Sequence, residues 1–482
     1  MLRSRAAEAT IWSGADVLLR QAVQFGVTVA LARLLTPEDF GTIALLYLFT
    51  GIATTLADGG LSSALVQRQD VTHTDESTVF WINLAMGAAM AAGLVASARA
   101  FARLYSLPIL APLTAVLAVS VFMGALGSIH ATLFRKRLDF QTPTKVNVVA
   151  TAAAGGLAVL LAWRGFGVWT LAAQTLAATS ITTALYWTFS RWRPTVEFSA
   201  AAARRLFGFG GFVLTSSLME AIYSRIYTLL IGKFYGVRDL GFYNRADGTK
   251  GVAADTLSGI LMRVALPVFS ASAHDAGRLR RGVRLALRGI MLVNIPAMLG
   301  MAALAGPFIV TLFGEAWRPA VPVLRVLCLA GVLWPLHVVN LNALLAQGYS
   351  PLYFRVEIAK KALGILLLAV GCWFGMMGIA WSQVIFGVLA FAINAHYTGR
   401  FLGYGPMDQV RDCLPIIGAA APMAAAVYWL GSHLDLAPWL ELSGLAAFGG
   451  AVYLLVGWGF RLAALKDAVV LVRGLRESVA AS

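Results

Sequence analysis

The stretch Leu31–Gly41, LARLLTPEDFG, returns in a related form two hundred residues later as Ile231–Gly241, IGKFYGVRDLG. Both stretches leave a long apolar segment, pass through a short turn and enter the next apolar segment. Aligned without a gap, they share a basic residue at the third position, an aspartate at the ninth and a glycine at the last. The sequence therefore predicts one helix–turn–helix corner that is repeated half a chain apart.

Composition assigns the chain to the membrane proteins. Of its 482 residues, 59% are apolar and 13% are charged, and the mean hydropathy is +0.75. A soluble domain carries about 25% charged residues, so lipid is the main solvent of this chain. The three cysteines, Cys328, Cys372 and Cys413, have neither metal-ligand nor disulfide-framework spacing and are expected to be small buried hydrophobes.

Apolar stretches of about 20 residues, enough to cross a ~30 Å hydrocarbon layer, predict an all-α polytopic protein with fourteen transmembrane helices. The first stretch follows Arg3 and Arg5 and is too long for a signal-peptide core, so we expect a retained helix. The predicted spans are 10–33, 41–66, 78–100, 110–134, 146–163, 168–190, 210–233, 240–262, 286–312, 321–346, 354–373, 376–399, 413–431 and 440–460. Spans 5 and 6 are divided near Phe166, and spans 11 and 12 near Gly375.

The distribution of Lys and Arg predicts the orientation. With both termini in the cytoplasm, the inner segments and their flanks hold most of the 38 basic residues, including Arg135-Lys136-Arg137. The net charge of +15 therefore reflects topology, and the basic residues are expected to contact anionic lipid head groups. Nucleic acid is not expected as a partner. On the outer side, Trp317 of the FGEAW stretch fits the interfacial aromatic belt.

Six spans return the chain to the same side of the membrane, so both repeated corners lie outside and the halves form a parallel repeat. We predict an N-lobe of helices 1–6 (residues 1–190), a cytoplasmic linker (191–209) with an amphipathic character, and a C-lobe of helices 7–12 (210–400). Helices 13 and 14 and a cytoplasmic tail occupy residues 401–482. Two lobes around a site at the bilayer midplane are typical of alternating-access carriers, and nothing in the sequence requires a dimer.

Charged side chains within the spans concentrate on the repeated helix pairs, spans 1 and 2 and spans 7 and 8. A charge at the centre of a spanning helix costs at least ~2.5–3.5 kcal/mol, so such residues usually face an interior cavity. These residues are Asp16, Arg20, Asp58, Glu220, Arg225, Arg245, Asp247, Lys250 and Asp255. One interpretation is a central cavity whose cations bind an anionic group, and the alternative is internal neutralisation by pairs such as Asp16–Arg20 and Asp247–Lys250.

Helical spacing shows which of these residues share a helix face. Asp16, Arg20 and Gln24 share one face of span 1, and Glu220, Tyr223 and Tyr227 share one face of span 7. On span 8, Asp247 and Lys250 share a face with Tyr243, whereas Arg225 and Arg245 lie away from their stripes. Arg245 is also close enough to the outer end of its span for its side chain to reach the interface.

Several stretches in this order and spacing resemble the Wzx-type flippases of the polysaccharide transporter family, in particular the colanic-acid-type branch. This family lies within the multidrug/oligosaccharidyl-lipid/polysaccharide exporter superfamily. The stretches that carry the resemblance are VALARLLTPEDFGTIAL, LADGGLSSALVQRQDVTHTDESTVFWIN, LFRKRLDF, YGVRDLGFYNRA, RVALPVFSA and LFGEAWRPAVPVLRVLC. They cover spans 1–3, the loop after span 4, and spans 7–10.

The resemblance implies a flippase of the bacterial inner membrane that moves undecaprenyl-diphosphate-linked oligosaccharide repeat units from the inner to the outer leaflet. It also implies that the protein acts together with polymerase and chain-length proteins of a polysaccharide pathway, and that basic residues face the cavity. The positions carried over for the diphosphate are Arg20, Arg225, Arg245 and Lys250, because arginine and lysine match its charge and acceptors. Residues expected to line the cavity for sugars or a coupling ion are Asp16, Gln24, Asp58, Glu220, Tyr223, Tyr227, Tyr243, Asn244, Asp247 and Asp255.

Three alternatives stay open at the level of sequence. A peptidoglycan lipid flippase would have a similar cavity charge, and a drug/cation antiporter of the same superfamily would favour carboxylates and aromatics. A membrane-embedded glycosyltransferase or polymerase would need a larger outer loop than any connection here. The sequence predicts neither a catalytic site, a cofactor nor a metal site, and it does not identify the sugars or the coupling ion.

Overall fold

A computed structural model describes residues 21–68, 70–434 and 437–459 of the chain, and over these ranges every regular element is a helix. The all-α prediction is therefore confirmed. Ten helical stretches within these ranges are long and apolar enough to cross a membrane. Each predicted span coincides, over its described part, with one helix or with two consecutive helices, while the count of fourteen crossings and the cytoplasmic termini stay predictions.

The chain divides into two compact units, residues 1–241 and 242–482, and α9 runs across the division. The helices are α1 (21–34), α2 (Pro37–Asp58), α3 (Leu61–Gln67), α4 (His73–Leu104), α5 (Leu110–Lys136), α6 (Gln141–Trp163), α7 (Trp169–Phe189), α8 (Ala200–Phe234), α9 (Gly236–Ala271), α10 (Ala276–Ala303), α11 (Ala305–Phe313), α12 (Ala320–Ala346), α13 (Ser350–Gly371), α14 (Gly375–Leu402), α15 (Pro406–Gly431) and α16 (Pro438–Gly459).

Two helices begin with the same local signal. Thr36 caps α2 and Thr72 caps α4, and in each case an aspartate three residues later completes a capping box. The reciprocal bonds satisfy backbone donors that have no partner inside the first helical turn. Pro37, whose missing N–H costs nothing at the first helical position, strengthens the start of α2.

Two predicted spans are interrupted. Span 2 breaks at Gly59 and Gly60, which both have positive φ angles of 58° and 71°, a conformation that glycine adopts without strain. A Cβ on Gly60 would overlap the carbonyl oxygen of Gly210 in α8, so the break also lets two backbones approach closely. Span 9 breaks at Leu304, between α10 and α11.

In unit 1, α4 packs along α5, α7 packs against both α5 and α6, and α8 packs on α2 and α3. A core cluster beside α3 includes Leu61, Leu65, Phe80 and Ile129. Because α8 contacts α2, the unit boundary falls after α8, at residue 241. The predicted lobe boundary at residues 191–209 is a statement about the sequence repeat and stays a prediction.

The first part of the predicted linker, between α7 and α8, is extended rather than helical. Its backbone is fixed on the first turns of α4, because the Thr195 N–H donates to Ser77 Oγ at 3.1 Å and the Ser199 N–H donates to Thr78 Oγ1 at 3.1 Å. Trp192, only 5% exposed, lies in the core cluster beside α3. Over these residues the linker is therefore an extended segment bound to α4 and not the expected amphipathic stretch.

In unit 2, α10 packs on α12 and α15, α14 packs on α12 and α13, and α16 packs on α15. A buried carboxylate joins two of these helices. Asp412 of α15 accepts from Arg284 at 2.6 and 2.8 Å, from Arg288 at 2.6 Å, and from the Tyr404 hydroxyl at 2.8 Å. Several charge-assisted hydrogen bonds to one carboxylate offset the cost of its burial.

The two repeated corners meet within unit 1. A Cβ on Gly41 would overlap the carbonyl oxygen of Val237, and a Cβ on Gly241 would overlap the carbonyl oxygen of Pro37. Residues 37 and 237 occupy the same place in the repeat, as do 41 and 241, so the contact is reciprocal. Both copies of the repeat have a glycine at this position because any side chain would separate the first turns of α2 and α9.

We expect Gly41→Ala and Gly241→Ala each to destabilise the protein by about 1–3 kcal/mol, the usual cost of overpacking a close contact. The clash is with backbone on both sides, so no side-chain rotation relieves it. Thermal unfolding in detergent measures the loss. Gly93→Ala is the matched control, because a Cβ there meets nothing within 4 Å, and equal unfolding temperatures for all three variants would contradict the reciprocal contact.

Candidate functional site

The polar residues predicted to line a cavity fall on α1, α2, α8 and α9. Asp16 and Arg20 lie outside the described residues, and so does the side chain of Asp255. Gln24 is exposed on α1. The remaining predicted residues divide between the two units and are described unit by unit.

Arg225 of α8 lies over Gly51 of α2. A Cβ on Gly51 would lie 2.9 Å from three guanidinium atoms, so the absence of a side chain at this position provides the space that the cation occupies. The side chain is half-buried, and within the described part of the chain it has no carboxylate partner. A desolvated cation without a counter-charge favours an anionic ligand, because an unpaired charge in a low-dielectric site is costly.

Three other predicted residues share α8 with Arg225. Glu220 is exposed, and Tyr223 and Tyr227 are half-buried. Each of the three has an interaction partner. Their stripe along α8 agrees with the helical spacing in the sequence, since this part of α8 is an uninterrupted helix.

Asp58 ends α2 at the break in span 2. Its carboxylate accepts a hydrogen bond from the Ser62 hydroxyl of α3. A carboxylate at a helix C-terminus faces the negative end of the helix dipole, so the serine hydroxyl compensates for an unfavourable position. This bond ties Asp58 to the turn at Gly59 and Gly60.

In unit 2, Lys250 and Asp247 of α9 form an ion pair with an Nζ–Oδ1 distance of 2.7 Å. The pairing alternative noted from the sequence is therefore present in the structure. The lysine side chain is 17% exposed and the aspartate 42%, so the carboxylate side of the pair is open. The lysine stem packs over Gly331 of α12, where a Cβ would lie 3.1 Å from Lys250 Cγ.

Arg245 is held in an aromatic stack. Its guanidinium carbon lies 4.9 Å from the ring centroid of Phe313 and 5.0 Å from that of Trp317. Trp317 is completely buried, so its expected place in the interfacial belt is wrong. The FGEAW stretch folds back onto α9, and the cation is stabilised by the ring faces.

Tyr243 is buried, and its hydroxyl accepts a hydrogen bond from the Gln383 amide of α14. This bond fixes the tyrosine within unit 2 and joins α9 to α14. Asn244, the next residue, is half-buried.

The short loop before α12 carries an exposed ion pair. Arg318 donates two hydrogen bonds of 2.7 Å to the carboxylate of Glu315. This bonding holds the pKa of Glu315 below its usual range. Over the described ranges, no group of three His, Cys, Asp or Glu side chains could hold a metal ion.

Sequence reasoning found the cations but missed what accommodates them. Gly51 and Gly331 lie far from Arg225 and Lys250 along the chain, and no spacing rule connects them. Both positions are single glycines inside apolar helices, a pattern that is equally typical of ordinary helix packing. The signal for the Arg245 stack was the FGEAW stretch itself, whose two rings were placed in an outer loop rather than against α9.

Comparison with known proteins decides the family. The family described as "Polysaccharide biosynthesis protein" matches residues 30–322, more than half of the chain. The chain belongs to this family. Together with the apolar helices, this makes it a multi-pass protein of the inner membrane.

Two relatives of this polysaccharide biosynthesis protein match nearly its whole length. The teichuronic acid biosynthesis protein TuaB of Bacillus subtilis is 28% identical over 444 residues, covering 91% of each chain. The lipopolysaccharide biosynthesis protein WzxC of Escherichia coli is 25% identical over 442 residues, covering 90% of this chain and 86% of its own. The predicted resemblance to Wzx-type proteins is confirmed.

Solved structures share the fold at low identity. The inward closed conformation of the lipid II flippase MurJ matches with a TM-score of 0.75 and 14% identity, covering 94% of this chain and 99% of its own. An inward-facing multidrug resistance MATE transporter matches with a TM-score of 0.63 and 15% identity, covering 80% and 98%. This polysaccharide biosynthesis protein therefore has the fold that these two transporters share.

We expect Arg245→Lys to lower the unfolding temperature by several degrees, equivalent to about 1–2 kcal/mol, because lysine keeps the charge but loses the planar face that stacks on two rings. Thermal unfolding in detergent measures the change. Arg99→Lys, at an exposed position on α4, is the control. A loss no larger than that of the control would show that the stack contributes nothing to stability.

Proposed function

We propose that this protein is a flippase for undecaprenyl-diphosphate-linked oligosaccharide repeat units. It moves them from the inner to the outer leaflet of the bacterial inner membrane by alternating access. The units serve the synthesis of an exopolysaccharide, a capsule or an O-antigen. The observation that carries the proposal is the family match, extended by relatives over about nine-tenths of the chain whose names place them in polysaccharide biosynthesis.

The fold supports movement of a lipid-linked substrate. The chain matches a lipid II flippase over nearly its whole length. Over residues 21–68, 70–434 and 437–459, the connections predicted to lie outside are short, such as the loop between α11 and α12, and none of them forms a sizeable domain that a glycosyltransferase or polymerase would use. These features support the proposal of transport rather than catalysis.

Arg225 and Lys250 are the first candidates for the diphosphate. Arg225 presents a half-buried guanidinium with no carboxylate partner within the described residues, and a guanidinium matches phosphate oxygens in a bidentate manner. Lys250 is neutralised by the more exposed Asp247, so an entering diphosphate would compete with that carboxylate. Arg20 belongs to the same proposed set on sequence grounds, whereas Arg245 already has two ring partners.

The remaining predicted residues are proposed to serve sugars or a coupling ion. Gln24, Tyr223, Tyr227 and Asn244 supply hydrogen-bonding groups, and Tyr243 contributes from a buried position. The acidic side chains are candidates for ion coupling: Asp16, Asp58, Glu220, Asp247 and Asp255. In the proposed cycle the head group enters from the inside, its charge is neutralised, the lobes exchange access, and the head group leaves outside while the polyprenyl tail stays in lipid.

The deciding experiment is leaflet exchange in reconstituted liposomes with a polyprenyl-diphosphate-linked sugar. We expect Arg225→Gln and Lys250→Gln each to lower the exchange rate at least about tenfold, since a charge-assisted hydrogen bond contributes about 1.5–3 kcal/mol. Arg20→Gln is expected to act in the same direction. Arg99→Gln is the matched control, because it removes one positive charge from an exposed position on α4, and all variants are checked for thermal unfolding.

Each outcome discriminates between functions. Wild-type exchange that survives in all three variants would keep the flippase but remove the diphosphate role of these cations. No wild-type exchange of the sugar-linked lipid, with transport of a drug cation instead, would establish the antiporter alternative. Preference for a peptide-bearing peptidoglycan lipid over other sugar-linked lipids would establish the peptidoglycan alternative.

A further inference from the structure

A groove of about 330 Å³ opens in unit 1 between α5, α6 and α7. This volume lies at the lower end of the range for small-molecule sites, which is about 300–1,000 Å³. Its lining residues are Gly124, Gly127, Ser128, Ala131, Asn147, Thr151, Ala178, Thr179, Thr182, Thr183 and Tyr186.

The lining is polar but uncharged. Six hydroxyl or amide side chains and one tyrosine surround the groove, and the other four residues are glycine or alanine. An apolar tail would find no large aliphatic side chain in this lining, and a diphosphate would find no cation. Neutral donors and acceptors in this number match a ligand that carries several hydroxyl groups.

Part of this polar lining is already satisfied. Thr179 donates to the Thr175 carbonyl at 3.0 Å, and Thr183 donates to the Met123 carbonyl at 2.8 Å. Ser128 donates to the Ala125 carbonyl at 3.0 Å. These bonds hold the hydroxyl groups in place and leave oxygen lone pairs available to a ligand.

Three other side chains in the lining have no hydrogen-bond partner among the described residues: Asn147, Thr151 and Thr182. They come from two helices, α6 and α7, and border the same space. A polar group within a membrane-spanning bundle is costly unless it is hydrogen-bonded. These three side chains are half-buried and border the groove, so their donors and acceptors are accessible to a polar ligand.

Glycines of α5 create the space. A Cβ on Gly124 would lie 3.7 Å from the methyl group of Thr179, an ordinary contact that would still reduce the groove. A Cβ on Gly127 would lie 2.8 Å from the Thr183 hydroxyl. Both positions are thus kept free of side chains where α5 faces α7.

The groove lies toward one end of its helices. Ser128 and Ala131 are near the end of α5 that carries Arg135 and Lys136, and Tyr186 is near the end of α7 that precedes Arg191. The charge distribution predicts that this end is cytoplasmic. The substrate would meet this half of the unit first.

We propose that this groove is a saccharide subsite, which binds a neutral sugar of the lipid-linked oligosaccharide through hydrogen bonds to Asn147, Thr151 and Thr182. The proposal rests on the proposed function and extends it, because it separates recognition of the sugar from recognition of the diphosphate. Each sugar hydroxyl both donates and accepts, as threonine and asparagine side chains do. Recognition of the sugar thus belongs to unit 1.

The test compares affinities of purified protein for two classes of lipid. The probes are polyprenyl diphosphate linked to glucose, galactose or N-acetylglucosamine, and sugar-free polyprenyl diphosphate, titrated by native mass spectrometry. We expect the double variant Thr151→Val/Thr182→Val to raise the Kd of the best-bound sugar-linked lipid about 5- to 20-fold, the result of losing two neutral hydrogen bonds. The Kd of the sugar-free lipid should stay within about twofold, the error expected when no contact is lost.

Two further variants make the result interpretable. Thr188→Val, on α7 beyond the groove, removes an exposed hydroxyl that donates to the Leu185 carbonyl, and it should leave both affinities unchanged. Gly124→Ala reduces the groove without a backbone clash, and it should weaken only the sugar-linked lipid. It also provides the test if the double variant does not fold.

Three results would overturn the saccharide subsite: equal affinity of wild type for sugar-linked and sugar-free lipids, no effect of the groove variants, or an equal effect on both lipid classes. Failure of the proposed function is different. There, wild type would bind the sugar-linked lipid in a groove-dependent manner but would not exchange it between leaflets in liposomes.

Discussion

The close approach of helix backbones at glycine residues is the constraint on which the described structure depends. Helices in lipid satisfy their backbone hydrogen bonds internally, so packing and small residues bring them together. The first turns of α2 and α9 meet because Gly41 and Gly241 each leave space for a carbonyl of the other corner. The break at Gly60 approaches Gly210 of α8 in the same way. These contacts fix α2, α8 and the start of α9, which carry most of the candidate site residues.

The same property of glycine accommodates the cations. Arg225 occupies the space over Gly51, and the stem of Lys250 packs over Gly331. Lys250 is neutralised by Asp247, whereas Arg245 is stabilised by two aromatic faces. Arg225 has no carboxylate partner among the described residues, which makes it the strongest diphosphate candidate of the three. Together with the neutral groove between α5, α6 and α7, this suggests separate places for the charged and uncharged parts of one substrate.

Prediction succeeded where the signal was local. Hydropathy located the helices, with predicted ends that differ from the observed ones by up to ten residues. The predicted divisions near Phe166 and Gly375 are real breaks, where Gly165 and Gly375 have φ angles of 81° and 75°. The breaks at Gly60 and Leu304 were missed because the stretches around them stay apolar. Trp317 was misplaced because a tryptophan in a short outer loop has the same composition whether it faces lipid or folds back onto a helix.

The amino-acid sequence alone predicted the helical class, the position of each apolar stretch, the repeated corner and the choice of charged candidates. All of these follow from residue type and from spacing along the chain, which set the cost of contact with lipid. The packing of the helices established that the repeated glycines face each other, that Gly51 lies beneath Arg225, and that Thr151 and Thr182 border one groove. These partners are remote in sequence, and their contacts depend on which helix faces pack together, a property that no local pattern specifies.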